Sequence, residues 1–265
     1  MSFGIGQNEV FGLVGETGCG KSTIARSVSG IYTPTSGEVL YKGVLVSGRN
    51  GSKQQNRKMQ SEVQMIFQDS AAALNPRMTV EKILLEPMKI QGRTNDKAAN
   101  KARMLELLAQ VGMPESCLYK LPTELSGGQR QRISIARSLI LDPKLLIADE
   151  PVASLDVSIQ AQIINLMKSC TEEHNLSMLF IAHDLSVVRY ISDRVGVMLK
   201  GKLVEIAPTE ELFNNPIHGY TKSLLSAIHV PDPEIERTKK LIDYDRNLPL
   251  GENMVDYGNG HFVLE

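Results

Sequence analysis

An α/β fold built around a mainly parallel core sheet is what this sequence predicts, and three observations carry that reading. Apolar runs of strand length alternate with amphipathic stretches of helix length. Two of the runs, Leu145-Leu146-Ile147-Ala148 and Met178-Leu179-Phe180-Ile181-Ala182, are continuously apolar, the mark of strands buried on both faces. A third, Val10-Phe11-Gly12-Leu13-Val14, feeds a glycine-rich loop and then a helix-like stretch from Thr23 to Val28, which is a strand–loop–helix unit.

The elements follow in order along the chain. Phe3 to Ile5 reads as strand-like. Val39-Leu40-Tyr41 and Val44-Leu45-Val46 flank Lys42-Gly43 and predict a β-hairpin. Gly48 to Lys58 is polar and reads as an exposed loop running into a helix, followed by a strand over Val63 to Phe67. Ala102, Leu105, Leu108 and Ala109 stand at helical spacing, ahead of Gly112 and Pro114. Further helices are expected over Ile133 to Leu141, stopped by Asp142-Pro143, and over Ser158 to Thr171. Val195 to Ala207 reads as a second hairpin, turning at Lys200-Gly201. From Pro208 on, periodicity weakens and the tail reads as an appendage.

Bulk composition narrows the function. With 265 residues, 42% of them hydrophobic, the chain can bury a sizeable core. A formal net charge of −1 implies no general polyanion-binding surface, so no nucleic-acid partner is expected. Cys19, Cys117 and Cys170 are scattered, with no metal-ligand spacing and no disulfide framework. No apolar stretch approaches the roughly 20 residues that span a bilayer, and Met1 leads into Ser2-Phe3-Gly4 without a signal-peptide pattern. A cytoplasmic chain is expected, with any membrane role supplied by a partner.

Three motifs carry chemistry. Gly15-Glu16-Thr17-Gly18-Cys19-Gly20-Lys21-Ser22 fits the P-loop pattern G-x-x-x-x-G-K-[ST]. Its glycines let successive N–H groups converge on one anion, and the helix N-terminus adds the positive end of its dipole. Lys21 would reach the β- and γ-phosphates, the Ser22 hydroxyl would ligate Mg²⁺, and Thr23 follows at once in the nucleotide-binding set. The apolar strand ending in Asp149-Glu150 fits Walker B: Asp149 would hold Mg²⁺ through water, and Glu150 would polarise the attacking water. In Leu125-Ser126-Gly127-Gly128-Gln129, Ser126 can cap the following helix while the glycines expose backbone N–H groups, a second anion site without a lysine.

In the order P-loop, Gln68, Leu-Ser-Gly-Gly-Gln, Walker B, Ser154-Leu155-Asp156 and His183, the chain resembles an ATP-binding cassette ATPase. The resemblance implies a P-loop NTPase (RecA-like) core over residues 1–207, with an inserted helical subdomain of roughly residues 69–141 and a family-specific tail over 208–265. It implies a head-to-tail dimer in which Ser126, Gly127, Gly128 and Gln129 of one subunit close over ATP held by the other's P-loop. Gln68 then touches Mg²⁺ or water and relays to a membrane partner, Asp156 lies at the dimer seam, and His183 contacts the γ-phosphate.

A narrower resemblance rests on Phe67-Gln68-Asp69, Leu74 to Val80, Ala148 to Pro151, Ala182 to Val188, Leu212 to His218 and Tyr220 to Ala227. These are similar to the oligopeptide/dipeptide permease ATPases, above all to the second, F-type, ATPase of Gram-positive importers. The resemblance implies ATP hydrolysis driving peptide uptake from the cytoplasmic face of the membrane. The expected partners are a paralogous ATPase, two transmembrane permeases and, indirectly, an extracellular peptide-binding protein. The alternatives from the same residues are a soluble cassette ATPase of a non-transport complex and an inactive fragment. The family usually begins with a further strand whose aromatic stacks on adenine; that segment would lie before Met1, and Phe3 sits too close to the P-loop to replace it. Asp256 to Glu265 contains no cysteine, so no iron–sulfur cluster is expected.

Overall fold

The computed structural model describes residues 1–46, 53–69, 73–228 and 241–265. The first residues of the polar loop expected from Gly48 lie outside that set. Along the chain the strands are β1 Val10–Gly15, β2 Leu40–Tyr41, β3 Val44–Leu45, β4 Val63–Ile66, β5 Leu145–Asp149, β6 Ser177–Ile181, β7 Arg194–Leu199, β8 Lys202–Pro208, β9 Met254–Asp256 and β10 Phe262–Leu264. The chain forms two compact units, one of Met1–Ser22 with Leu179–Glu265 and one of Thr23–Met178.

In the first unit β1 is buried throughout and pairs in parallel with β7, Phe11 opposite Arg194 and Gly15 opposite Met198. β7 returns as β8 through Lys200-Gly201, both at positive φ (47° and 80°), the backbone that a tight hairpin turn needs. The tail is more ordered than its weak periodicity suggested. It holds helices Thr209–Asn214 and Gly219–Ser226, then a β9–β10 hairpin that extends β8 antiparallel. A buried charge knot fastens it. The Glu205 carboxylate on β8 accepts the Ile217 and His218 N–H groups at 2.7 and 3.1 Å and lies 2.7 Å from His261 Nε2. A buried carboxylate is tolerable because each oxygen is partnered in this way.

Residues 3–5 do not form the strand expected there. The Phe3 ring instead stacks on Phe11, with centroids 5.1 Å apart, so its apolar surface is spent on ring packing rather than on a ladder.

In the second unit β4 pairs in parallel with β5, from Val63 opposite Leu145 to Ile66 opposite Ala148. β2 and β3 form the expected hairpin. Helix Lys97–Gln110 starts where Asp96 Oδ1 accepts the Ala98 and Ala99 N–H groups, a cap that satisfies otherwise unpaired donors. Helix Gly127–Leu139 begins and ends earlier than the stretch expected over Ile133 to Leu141. Helix Val157–His174 stops at Asn175, whose φ of 51° is left-handed. Helix Val80–Ile90 has no counterpart in the sequence reading. It buries Val80, Ile83, Leu84, Pro87 and Met88, a helical stripe that tolerates Pro87 inside it.

Candidate functional site

The P-loop is built from β1 outward. Gly15, Gly18 and Gly20 take φ of 147°, 83° and 110°. At Gly15 the requirement is absolute: a Cβ would lie 2.3 Å from the Met198 carbonyl oxygen on the neighbouring strand. With the chain curled this way, Lys21 is only 4% exposed. Its Nζ donates to the Gly15 and Glu16 carbonyls at 2.7 and 2.9 Å, which holds a buried ammonium inside its own loop. Cys19 is buried, its Sγ 3.9 Å from Lys21 Nζ, and its carbonyl accepts the Gly201 N–H at 3.0 Å. Thr17, Gly18 and Thr23 are exposed, while Gly20 and Ser22 are half-buried. Glu16 pairs with Arg246 from the tail at 2.9 Å, a contact for which the sequence offers no signal.

In the second unit β5 delivers Asp149 and Glu150 at its C-terminal end, 2% and 7% exposed. Glu150 sits at φ 49°, a left-handed backbone that a non-glycine residue adopts at some cost. Gln68, just past β4, donates from Nε2 to Glu150 Oε2 at 2.7 Å. The parallel β4–β5 register thus brings together two residues that the family order alone associates. No spacing rule gives their contact.

Ser126 opens helix Gly127–Leu139 with a reciprocal capping box. Its Oγ accepts the Gln129 N–H at 3.3 Å, and Gln129 Oε1 accepts the Ser126 N–H at 3.0 Å. Ser126 and Gly127 are exposed. At Gly128 a Cβ would meet Ile159 Cγ2 at 2.7 Å, so glycine there lets helix Val157–His174 pack close. Asp156, exposed, precedes that helix and makes no side-chain cap to it. His183 is exposed two residues beyond β6, and its neighbour Asp184 caps helix Leu185–Ile191.

A phosphate-type loop at the end of β1, paired acids at the end of β5 and a capped glycine pair opening a helix define a nucleotide-binding cassette. The model of the family described as "ABC transporter" matches residues 1–153, and the chain belongs to that family. The region described as "Oligopeptide/dipeptide transporter, C-terminal region" matches residues 204–249. The chain is 53% identical to the oligopeptide transport ATP-binding protein OppF of Bacillus subtilis (strain 168), over all of this chain and 88% of that protein. It is 50% identical to the dipeptide transport ATP-binding protein DppF of Lactococcus lactis subsp. cremoris (strain MG1363), over all of this chain and 86% of that protein. Among solved structures it resembles the dimeric, post-hydrolysis state of the ATP-binding cassette MJ0796 bound to ADP and phosphate, with TM-score 0.70 and 26% identity over 78% of this chain and 88% of that one. The cassette fold expected from the motif order is the fold observed.

Proposed function

We propose that this chain is the ATP-binding and ATP-hydrolysing subunit that energises an ABC importer of oligopeptides or dipeptides. The observation that carries the hydrolytic part is the Gln68–Glu150 hydrogen bond on a buried carboxylate. A general base must be held where it can take a proton from water. Glu150 is the base in this reading, Gln68 orients it, and His183 contacts the γ-phosphate. Gly15, Glu16, Thr17, Gly18, Cys19, Gly20, Lys21, Ser22 and Thr23 bind the phosphates, Glu16 through its backbone N–H and not its carboxylate. The buried Lys21 ammonium exchanges its carbonyl partners for phosphate oxygens, which are stronger, charged acceptors.

The donor set suits Mg²⁺. Among the described residues no group of three or more His, Cys, Asp or Glu side chains could hold a metal ion by itself. Mg²⁺ needs no such cage: it keeps several waters and binds through one or two protein oxygens together with substrate phosphates. Ser22, Asp149 and Gln68 offer hard oxygens, and Mg²⁺ when bound neutralises phosphate charge.

Ser126, Gly127, Gly128, Gln129 and Asp156 act across a head-to-tail dimer with a second ATP-binding subunit, a paralogue. No helix among the described residues is long and apolar enough to cross a membrane. Attachment at the cytoplasmic face therefore falls to two permease subunits, with an extracellular peptide-binding protein delivering the solute. The match of residues 204–249 to the peptide-transporter C-terminal region supports the peptide as cargo. The test is uptake of a labelled tetrapeptide and a labelled dipeptide by cells whose own copy is replaced by wild type or by Glu150→Gln. Uptake should vanish with Glu150→Gln while the protein remains membrane-associated. Undiminished uptake would contradict the reading.

A further inference from the structure

The tail does more than extend the sheet, because one of its side chains reaches the phosphate-binding loop. Arg246 pairs with the Glu16 carboxylate at 2.9 Å. Its placement is built from several sides. Lys200 Nζ, from the β7–β8 turn, donates to the Arg246 carbonyl at 2.5 Å. Asp245 shapes the turn by accepting the Asn247 N–H on its side chain and the Leu248 N–H on its carbonyl. Tyr244 packs against His218 and Tyr220, with ring centroids 5.7 and 5.8 Å away, close over Gly219. Ser226 Oγ accepts the Ile242 N–H at 2.9 Å. Helix Gly219–Ser226 thus seats the segment that carries Arg246. Tyr220 on that helix is buried, and burial followed by the Glu16 charge pushes its phenol up to about 12, with Arg246 acting in the opposite sense. The Glu16 charge is therefore felt by its neighbours.

Glu16 poses an electrostatic problem. A loop whose N–H groups and lysine are arranged for a polyanion carries a carboxylate in its second position. Left alone, that carboxylate repels the phosphates the loop is shaped to hold. We propose that Arg246 is a positioning residue of the phosphate-binding loop: it neutralises and fixes Glu16, so that the C-terminal extension sets the loop's affinity for ATP. The inference rests on the ATP-binding reading of the loop given above.

The pair is partly exposed, 33% for Glu16 and 62% for Arg246, so its effect is modest and screened by salt. The experiment is a double-mutant cycle on the full chain, measuring the Kd of Mg·ATP together with kcat. Arg246→Ala should raise Kd about threefold and Arg246→Glu about tenfold, with kcat at saturating ATP unchanged. In a Glu16→Gln background the Arg246→Ala loss should disappear, since no carboxylate remains to be neutralised, and the Arg246→Glu loss should shrink. A purely structural role for Arg246 would lower the melting temperature in both backgrounds and would not be cancelled. Two results overturn the proposal: an unchanged Kd in Arg246→Glu, or an equal loss with and without the Glu16 carboxylate, which would put Arg246 on the nucleotide or on the fold. Lys21→Ala in the same assay tests the underlying reading separately. If that variant binds ATP like wild type, the loop assignment fails, whatever Arg246 does.

Discussion

Two helix N-termini in this chain look alike in sequence and differ in chemistry. The helix beginning at Lys21 follows a loop whose three glycines have positive φ, with a buried ammonium folded onto the loop's own carbonyls. The helix beginning at Gly127 follows a serine that closes a neutral capping box on its own first turn. The first end carries charge and a curled backbone ready for a polyanion. The second opens on the exposed Ser126 and Gly127, and its nearest cation, Arg130, donates from Nε to the Leu125 carbonyl at 3.0 Å. Two glycine-rich helix starts can thus carry different local chemistry. What separates the two is the curled loop at positive φ with a buried lysine folded onto it; Arg130, at the second end, is only half-buried. In the proposed dimer the second end would bring its helix dipole to ATP held by the partner's P-loop.

Substitutions can break this contrast, and the largest effect is expected outside both ends, at Glu150, the proposed base. Glu150→Gln should lower ATP turnover about 10²–10⁴-fold, the usual size of general-base help, while equilibrium ATP binding survives. Single-turnover hydrolysis on the purified protein checks it, and near-normal turnover would remove Glu150 from the role. Next, Lys21→Ala removes the charge-assisted contact to phosphate proposed for the ground state. ATP affinity should fall roughly ten- to a hundredfold, as titration calorimetry would record. Gly15→Ala should destabilise the chain by about 2–3 kcal/mol, because the new methyl meets a carbonyl oxygen and the residue is held at positive φ. Urea unfolding measures it, and a stability equal to wild type would show that β1 and β7 can separate there. The smallest effect belongs to the second helix end. Ser126→Ala loses one cap hydrogen bond, about 1 kcal/mol, a drop of a few degrees in Tm that leaves ATP affinity alone.

Much of this was legible in the sequence, and the reasons differ by element. The P-loop spacing and the apolar runs ending at Ala148 and Ala182 translate directly into structure, because burial on both faces leaves little choice of residue. Helix Val80–Ile90 has a clear apolar stripe, yet Pro87 inside it argues against a helix when read locally. Pro87 lies in the second half of the helix but on its buried face, and packing of that face overrides the local signal. The tail strands β9 and β10 are three residues each, and all of β9 is exposed, so they carry no alternation to read. Contacts across the sheet are the least legible. Gln68 on Glu150, His261 on Glu205 and Arg246 on Glu16 each depend on which strands and turns become neighbours. Phe3 erred the other way: its apolar character was real, but a ring stack on Phe11 used it.

The division of labour between the two helix ends is tested most directly by Ser126→Arg, with ATP binding and ATP hydrolysis measured on the same preparation. A bulky cation at the exposed cap leaves the P-loop untouched and blocks the surface that would close over a partner's nucleotide. The account predicts an ATP affinity within about twofold of wild type, since no ground-state contact to the phosphates is lost, together with loss of hydrolysis. An affinity that falls as far as in Lys21→Ala, or hydrolysis that continues at the wild-type rate, would contradict it.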